Sequence, residues 1–160
     1  MDRLDIRILE ALQRDGALTQ AELAEQVGSS PSTCLRRVQR LKASGHLERC
    51  VYLADPRKLE RGLRAVITVV TSGHGRETRE AFAQKLRDEA SICQAYGTTG
   101  EVDAVFIANF SDMEEYQAVC ERLFDHDPHV VRYTTFFAVE SYKQSTEVPT
   151  DALSARLQAN

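Results

Sequence analysis

The hydrophobic pattern of this chain changes period once, near residue 64, and that change decides how it folds. Before it, apolar residues recur every three or four positions, the spacing that lines one stripe of a helix. Leu4, Ile8 and Leu12 do so first, then Leu23 and Val27, then Cys34, Val38 and Leu41. Beyond it, Arg64–Ser72, Ile92–Thr98, Asp103–Phe110 and Val130–Val139 carry the Val, Ile and Thr of strands and alternate with helical stretches. Stacked helices and a half-covered sheet bury different faces, so 160 residues divide into two small units. The expected division is a helical head over 1–50, a connector over 51–63, a sheet-bearing unit over 64–145 and a tail over 146–160 with no marked preference.

Local signals bound the head helices. Asp2 to Arg14 is the first, ended by Asp15-Gly16. Thr19 with Glu22 three residues on is a capping box that opens a helix over Gln20–Val27, and Gly28 breaks it. Ser30 is a helix cap and Pro31 suits the first position of a third helix, which runs to Ser44-Gly45. A tight turn between the second and third helices makes a helix-turn-helix. His46–Leu53 alternates enough for a strand pair or one extended strand, which would add a wing. In the second half, the strands with helices over Glu77–Glu89 and from Asp112 to about Phe124 give the order βαββαβ, a ferredoxin-like arrangement. The fold class is therefore α+β.

With Cys34, Val38 and Leu41 inward, Ser32, Thr33, Arg36, Arg37 and Arg40 are expected on the outside, next to Ser30. Hydroxyls and arginines at the start of a helix are the groups that read base edges in the major groove and neutralise phosphates. The net charge of −4 argues against nucleic acid, but its distribution reverses that. Residues 1–62 carry 11 Lys/Arg against 9 Asp/Glu, while residues 63–160 carry 9 against 15. Double-stranded DNA is thus the expected partner of the head. A solvated basic face, or a protein-interaction module with a degenerate helix-turn-helix, would share the helix pattern.

Other chemistry is poorly supplied. The four cysteines form no C-x-x-C pair, so neither a disulfide framework nor a zinc site is expected. His46, His74, His126 and His129 are scattered, and Asp127-Pro128 spoils a helical metal pair between the last two. Neither a signal peptide nor a membrane span is evident, which places the chain in the cytoplasm.

The stretch Ser30-Pro31-Ser32-Thr33-Cys34-Leu35-Arg36-Arg37-Val38, with Leu41 and Gly45 following, resembles the Lrp/AsnC (feast/famine) transcription regulators. So do Leu4-Asp5 with Ile8-Leu9, and Thr99-Gly100-Glu101-Val102-Asp103 ahead of an apolar strand. The resemblance runs from Leu4 to about Pro149. It implies a sequence-specific regulator, not an enzyme, with a winged helix-turn-helix and a C-terminal RAM-type domain. It also implies dimers that pair through the sheet, assembly up to octamers, and a free amino acid as effector, bound at contacts between dimers, with no other cofactor.

Carried over by position, Thr99, Gly100, Glu101 and Asp103 fall on the effector loop, and Thr135, Phe136, Phe137 and Ala138 on a segment that lines the site in some members. The chemistry is coherent. Backbone amides of a glycine turn accept a carboxylate, Asp103 accepts an ammonium, and Phe136 or Phe137 contributes an apolar wall. A plain β-turn whose Asp caps its own backbone is the alternative. Val102 replaces an aromatic common in the family, which bears on ligand identity. Siroheme decarboxylases resemble this family too, but such chemistry needs cationic or histidine groups, and along the strands Arg132 is the main one.

Overall fold

The computed structural model describes residues 1–72 and 75–158; Gly73, His74, Ala159 and Asn160 lie outside the described residues. The chain forms two compact units, one made of residues 1–53 with the chain from Lys143 onward, the other of residues 54–142.

In the first unit α1 spans Arg3–Arg14, α2 Gln20–Val27 and α3 Pro31–Ala43. Each start is locked by a side chain. Asp2 caps α1 and Asp5 returns the bond, Thr19 and Glu22 form the expected box on α2, and Ser30 caps α3 ahead of Pro31. Gly28 ends α2 at φ 60°, a left-handed conformation that costs a glycine little, and so lets α3 start after only two more residues. Ile8, Leu23, Val27, Cys34 and Leu41 fill the core between the three helices.

Residues 46–53 form no strand, contrary to the alternation read from sequence. The His46 and Leu47 amides both donate to the Leu41 carbonyl and close a turn, and Leu47 tucks onto the helical core. Val51, Tyr52 and Leu53 then run exposed with no ladder partner among the described residues. The tail holds a helix, α6 over Asp151–Gln158, that the sequence did not announce. It lies against α1, where the Val148 amide donates to Gln13 Oε1 at 2.7 Å and Gln13 Nε2 donates to the Val148 carbonyl at 3.2 Å.

The second unit contains β1 (Leu63–Thr71), α4 (Arg76–Asp88), β2 (Ile92–Gly97), β3 (Ala104–Phe110), α5 (Met113–Cys120) and β4 (Val130–Phe137). All pairings are antiparallel, in the order β2-β3-β1-β4. This is the ferredoxin-like topology expected from βαββαβ. Ala65, Ile67 and Val69 of β1 and Phe106, Ala108 and Phe110 of β3 are buried on the face that meets Phe82 and Leu86 of α4 and Val119, Leu123 and Phe124 beyond. Alternation turns Val66, Thr68, Val70, Val105 and Ile107 to the other face, where they stay only half-buried.

Candidate nucleic-acid interface and effector loop

The N-terminus of α3 presents hydroxyls. Ser30 Oγ accepts the Thr33 amide at 3.2 Å, donates to Thr33 Oγ1 at 2.8 Å and lies 3.3 Å from Ser32 Oγ. Ser30 and Ser32 are exposed and Thr33 is half-buried. One turn on, Arg36 is exposed and makes no ion pair among the described residues. A helix start with its positive dipole end, a cluster of hydroxyls at the surface and an unengaged guanidinium suits an anionic, groove-shaped surface.

Arg37 corrects the expectation that it faces outward. Its side chain is only 18% exposed, and Nη1 donates to Asp2 Oδ2 at 2.5 Å and to the two Asp5 oxygens at 3.2 and 3.3 Å. The cause is angular: residue 37 is three after Cys34 and four before Leu41, so it flanks the inward stripe. Arg40 is half-exposed but also engaged, with Nη2 2.5 Å from Asp5 Oδ2. Asp5 is fully buried. The Asp5 backbone amide, and beyond it the Arg37 guanidinium, hold the Asp2 carboxyl below the usual carboxylate range, and Asp2 in turn raises Arg37. Sequence reasoning missed both acids. The signal was an Asp at position 5 amid the apolar residues Leu4, Ile6 and Ile8.

In the second unit, Thr99, Gly100 and Glu101 form an exposed loop, and Gly100 takes φ 112°, a value that favours glycine. Asp103 ties this loop down. Its Oδ2 accepts the Thr71 amide at 2.7 Å and Thr71 Oγ1 at 3.2 Å, and its own amide donates to the Val69 carbonyl. The Thr98 amide donates to the Asp103 carbonyl, and Thr98 Oγ1 to that of Val102 at 2.6 Å. An open groove of about 1200 Å³ runs between α4 and β2, with Thr71, Thr98 and Asp103 among its walls.

The β4 segment lies elsewhere. Thr135 Oγ1 accepts the Tyr116 hydroxyl at 2.9 Å, and the rings of Phe137 and Tyr116 meet edge-on at 5.0 Å. Phe136 is 58% exposed and pairs with Val66, and the Ala138 amide donates to the Arg64 carbonyl. Hence Thr99–Asp103 sits beside Val69 and Thr71, whereas Phe136–Ala138 sits beside Arg64–Val66 at the other end of β1. At about 3.3 Å per residue the separation along the strand is about 15 Å. One chain does not bring the two predicted halves of the effector site together.

Residues 1–42 match the AsnC-type helix-turn-helix domain, and residues 64–148 match the Lrp/AsnC ligand binding domain. The chain belongs to the Lrp/AsnC family. Among its relatives, an HTH-type transcriptional regulator of Sinorhizobium fredii is 30% identical over 93% of this chain and 88% of its own length. The DNA-binding transcriptional activator DecR of Escherichia coli is also 30% identical, over 93% and 98%. An AsnC family transcriptional regulator from Agrobacterium tumefaciens shares the fold with a TM-score of 0.89 at 31% identity, covering 96% of this chain and 99% of that one. A transcriptional regulator from Neisseria meningitidis, solved as a complex with L-Met, gives 0.90 at 32% over the same shares. This Lrp/AsnC protein is thus a DNA-binding transcriptional regulator with a ligand-binding domain, as the resemblance implied.

Proposed function

We propose that this regulator reads duplex DNA with α3, using Ser30, Ser32, Thr33 and Arg36 as direct contacts and the outward part of Arg40 on phosphate. The observation that carries this is the capped start of α3, exposed and hydroxyl-lined, with Arg36 unengaged one turn on. Arg37 is then a structural group and not a base reader. Two heads from a dimer reach successive major grooves, so the operator is roughly palindromic. Self-association uses the half-buried apolar face of the sheet, and further assembly of dimers follows the family pattern.

The effector is a free amino acid. Support comes from the match to a ligand-binding domain and from the L-Met complex of the Neisseria meningitidis relative. Backbone amides at Thr99–Glu101 receive its carboxylate, with the loop pinned by Asp103. Because Thr135, Phe136, Phe137 and Ala138 lie at the far end of β1, they complete the site from another copy, so binding and assembly are linked. An effector acts on DNA affinity only by favouring one assembly over another, and DNA must then alter effector affinity by the same factor. The protein works in the cytoplasm, with no metal or catalytic step.

Sequencing genomic fragments bound by the purified protein, with and without each common amino acid, tests both halves. A shared palindromic sequence whose recovery changes with one amino acid supports the proposal. Recovery without any sequence preference refutes the DNA half. Failure of every amino acid to alter recovery or to bind by calorimetry refutes the effector half.

A further inference from the structure

The first turn of α1 carries a device that belongs to the recognition helix. Asp5 has no exposed surface, yet its carboxylate collects three donors: the Asp2 amide at 2.8 Å, Arg37 Nη1, and Arg40 Nη2 at 2.5 Å. Asp2, half-buried, adds its own carboxylate to Arg37 at 2.5 Å. Arg37 Nε is buried with no hydrogen-bond partner. A chain rarely buries an acid and most of an arginine, and leaves a guanidinium N–H unpaired, when apolar residues would fill the same space. What the arrangement does provide is geometry. Two points three residues apart on α3 are fixed to one point on α1, which sets both the roll of α3 about its axis and its slide along α1.

We propose that Asp5 is the positioning residue of the DNA-reading helix, clamping Arg37 and Arg40 so that the Ser30–Arg36 surface is held at one angle. This rests on α3 being the reader. Asp5 touches no DNA. It acts by fixing roll and by neutralising charge that would otherwise grip any phosphate. Arg37 serves the same clamp from the other side. Arg40 is divided, one nitrogen on Asp5 and the rest of its half-exposed guanidinium turned to the surface.

The consequence separates positioning from direct binding. Removing a group that touches phosphate weakens all DNA alike and lowers the salt slope by about one. Removing a positioning carboxylate does the reverse for unspecific DNA, because it frees cationic groups. The experiment measures Kd for an operator and for a scrambled duplex over a salt series, using full-length protein below its unfolding temperature. Asp5→Asn is expected to bind scrambled DNA more tightly, with a steeper salt slope, while the operator-to-scrambled ratio falls roughly tenfold, the scale on which a single base pair is discriminated. Arg37→Gln is expected to lower the ratio equally with the slope for scrambled DNA unchanged. Arg36→Gln, the control for a residue that touches DNA, is expected to flatten the slope. Should Asp5→Asn not fold, Asp2→Asn, which loosens the clamp from its half-exposed side, is expected to move the ratio in the same direction.

The inference is overturned if Asp5→Asn and Asp2→Asn leave the ratio intact, or if Arg37→Gln flattens the slope as Arg36→Gln does. If instead Arg36→Gln changes nothing while the wild type still binds its operator, it is the reader assignment that fails.

Discussion

Replacing Gln13 with Ala should release the C-terminal tail from the head without unfolding the head. The side chain makes two hydrogen bonds to the backbone of Val148, one donated and one accepted. Each is worth about 0.5–1.5 kcal/mol net, and both are solvent-accessible, so water replaces them and no desolvation penalty follows. Freed side-chain rotamers offset part of the loss, leaving about 1 kcal/mol. Among the described residues the other anchors are the packing of α6 on α1, the Thr150 hydroxyl on Glu10 at 2.5 Å and a 3.9 Å pair between Arg14 and Glu147, the latter too exposed to contribute much. With 8 residues and none fully buried, α6 is too short to hold itself helical. Hydrogen exchange read by mass spectrometry is the assay. Amides of residues 148–158 should exchange about fivefold faster in Gln13→Ala, the factor equivalent to 1 kcal/mol, while α2 and α3 keep their protection. Unchanged tail protection would refute the clasp; equal loss across all three head helices would show that Gln13 supports the head as a whole.

Phe106 is fully buried with ring neighbours Phe82 and Phe124, each at 6.0 Å, so Phe106→Ala should destabilise the sheet unit by about 3–5 kcal/mol in urea unfolding. Gly28→Ala meets nothing closer than Arg7 Nη1 at 3.9 Å, so its cost is backbone alone, about 1–2 kcal/mol, visible as a lower head melting temperature. The Ser111 amide on Glu115, then the Ser111 hydroxyl and Arg61, lower the Glu115 pKa below 4.5. Its folded-state pKa being depressed, the stability it contributes is present above about pH 4.5 and lost as pH falls through the lower folded value. The gap in unfolding free energy between wild type and Glu115→Gln should therefore be open at neutral pH and close in acid.

What was legible in the sequence was local. Thr19 with Glu22, Gly28, Ser30-Pro31 and Asp112 fix helix starts and stops through groups a few residues apart, and each behaves in the structure as its spacing implied. The strand runs were equally plain because β-branched residues cluster there. Arg37 was not legible, because its charge argues for the surface, while its angular position and two acids 32 and 35 residues away draw it inward. The strand expected at 46–53 failed because alternation says nothing about whether a partner strand exists. The tail carries too few apolar residues to signal a helix, and its anchor on Gln13 lies 135 residues away. The effector segments were found in chain order, but it takes the register of β1 against β4, together with the Asp103 bonds to Val69 and Thr71, to show that they occupy opposite ends of one strand.

Whether the start of α3 enters the major groove is decided by methylation interference at guanine N7 on a selected operator. Interference is expected in two patches about 10 base pairs apart, with Arg36→Ala erasing a discrete guanine from each patch and leaving the rest. Uniform insensitivity to N7 methylation, or a pattern that Arg36→Ala leaves untouched, would contradict it.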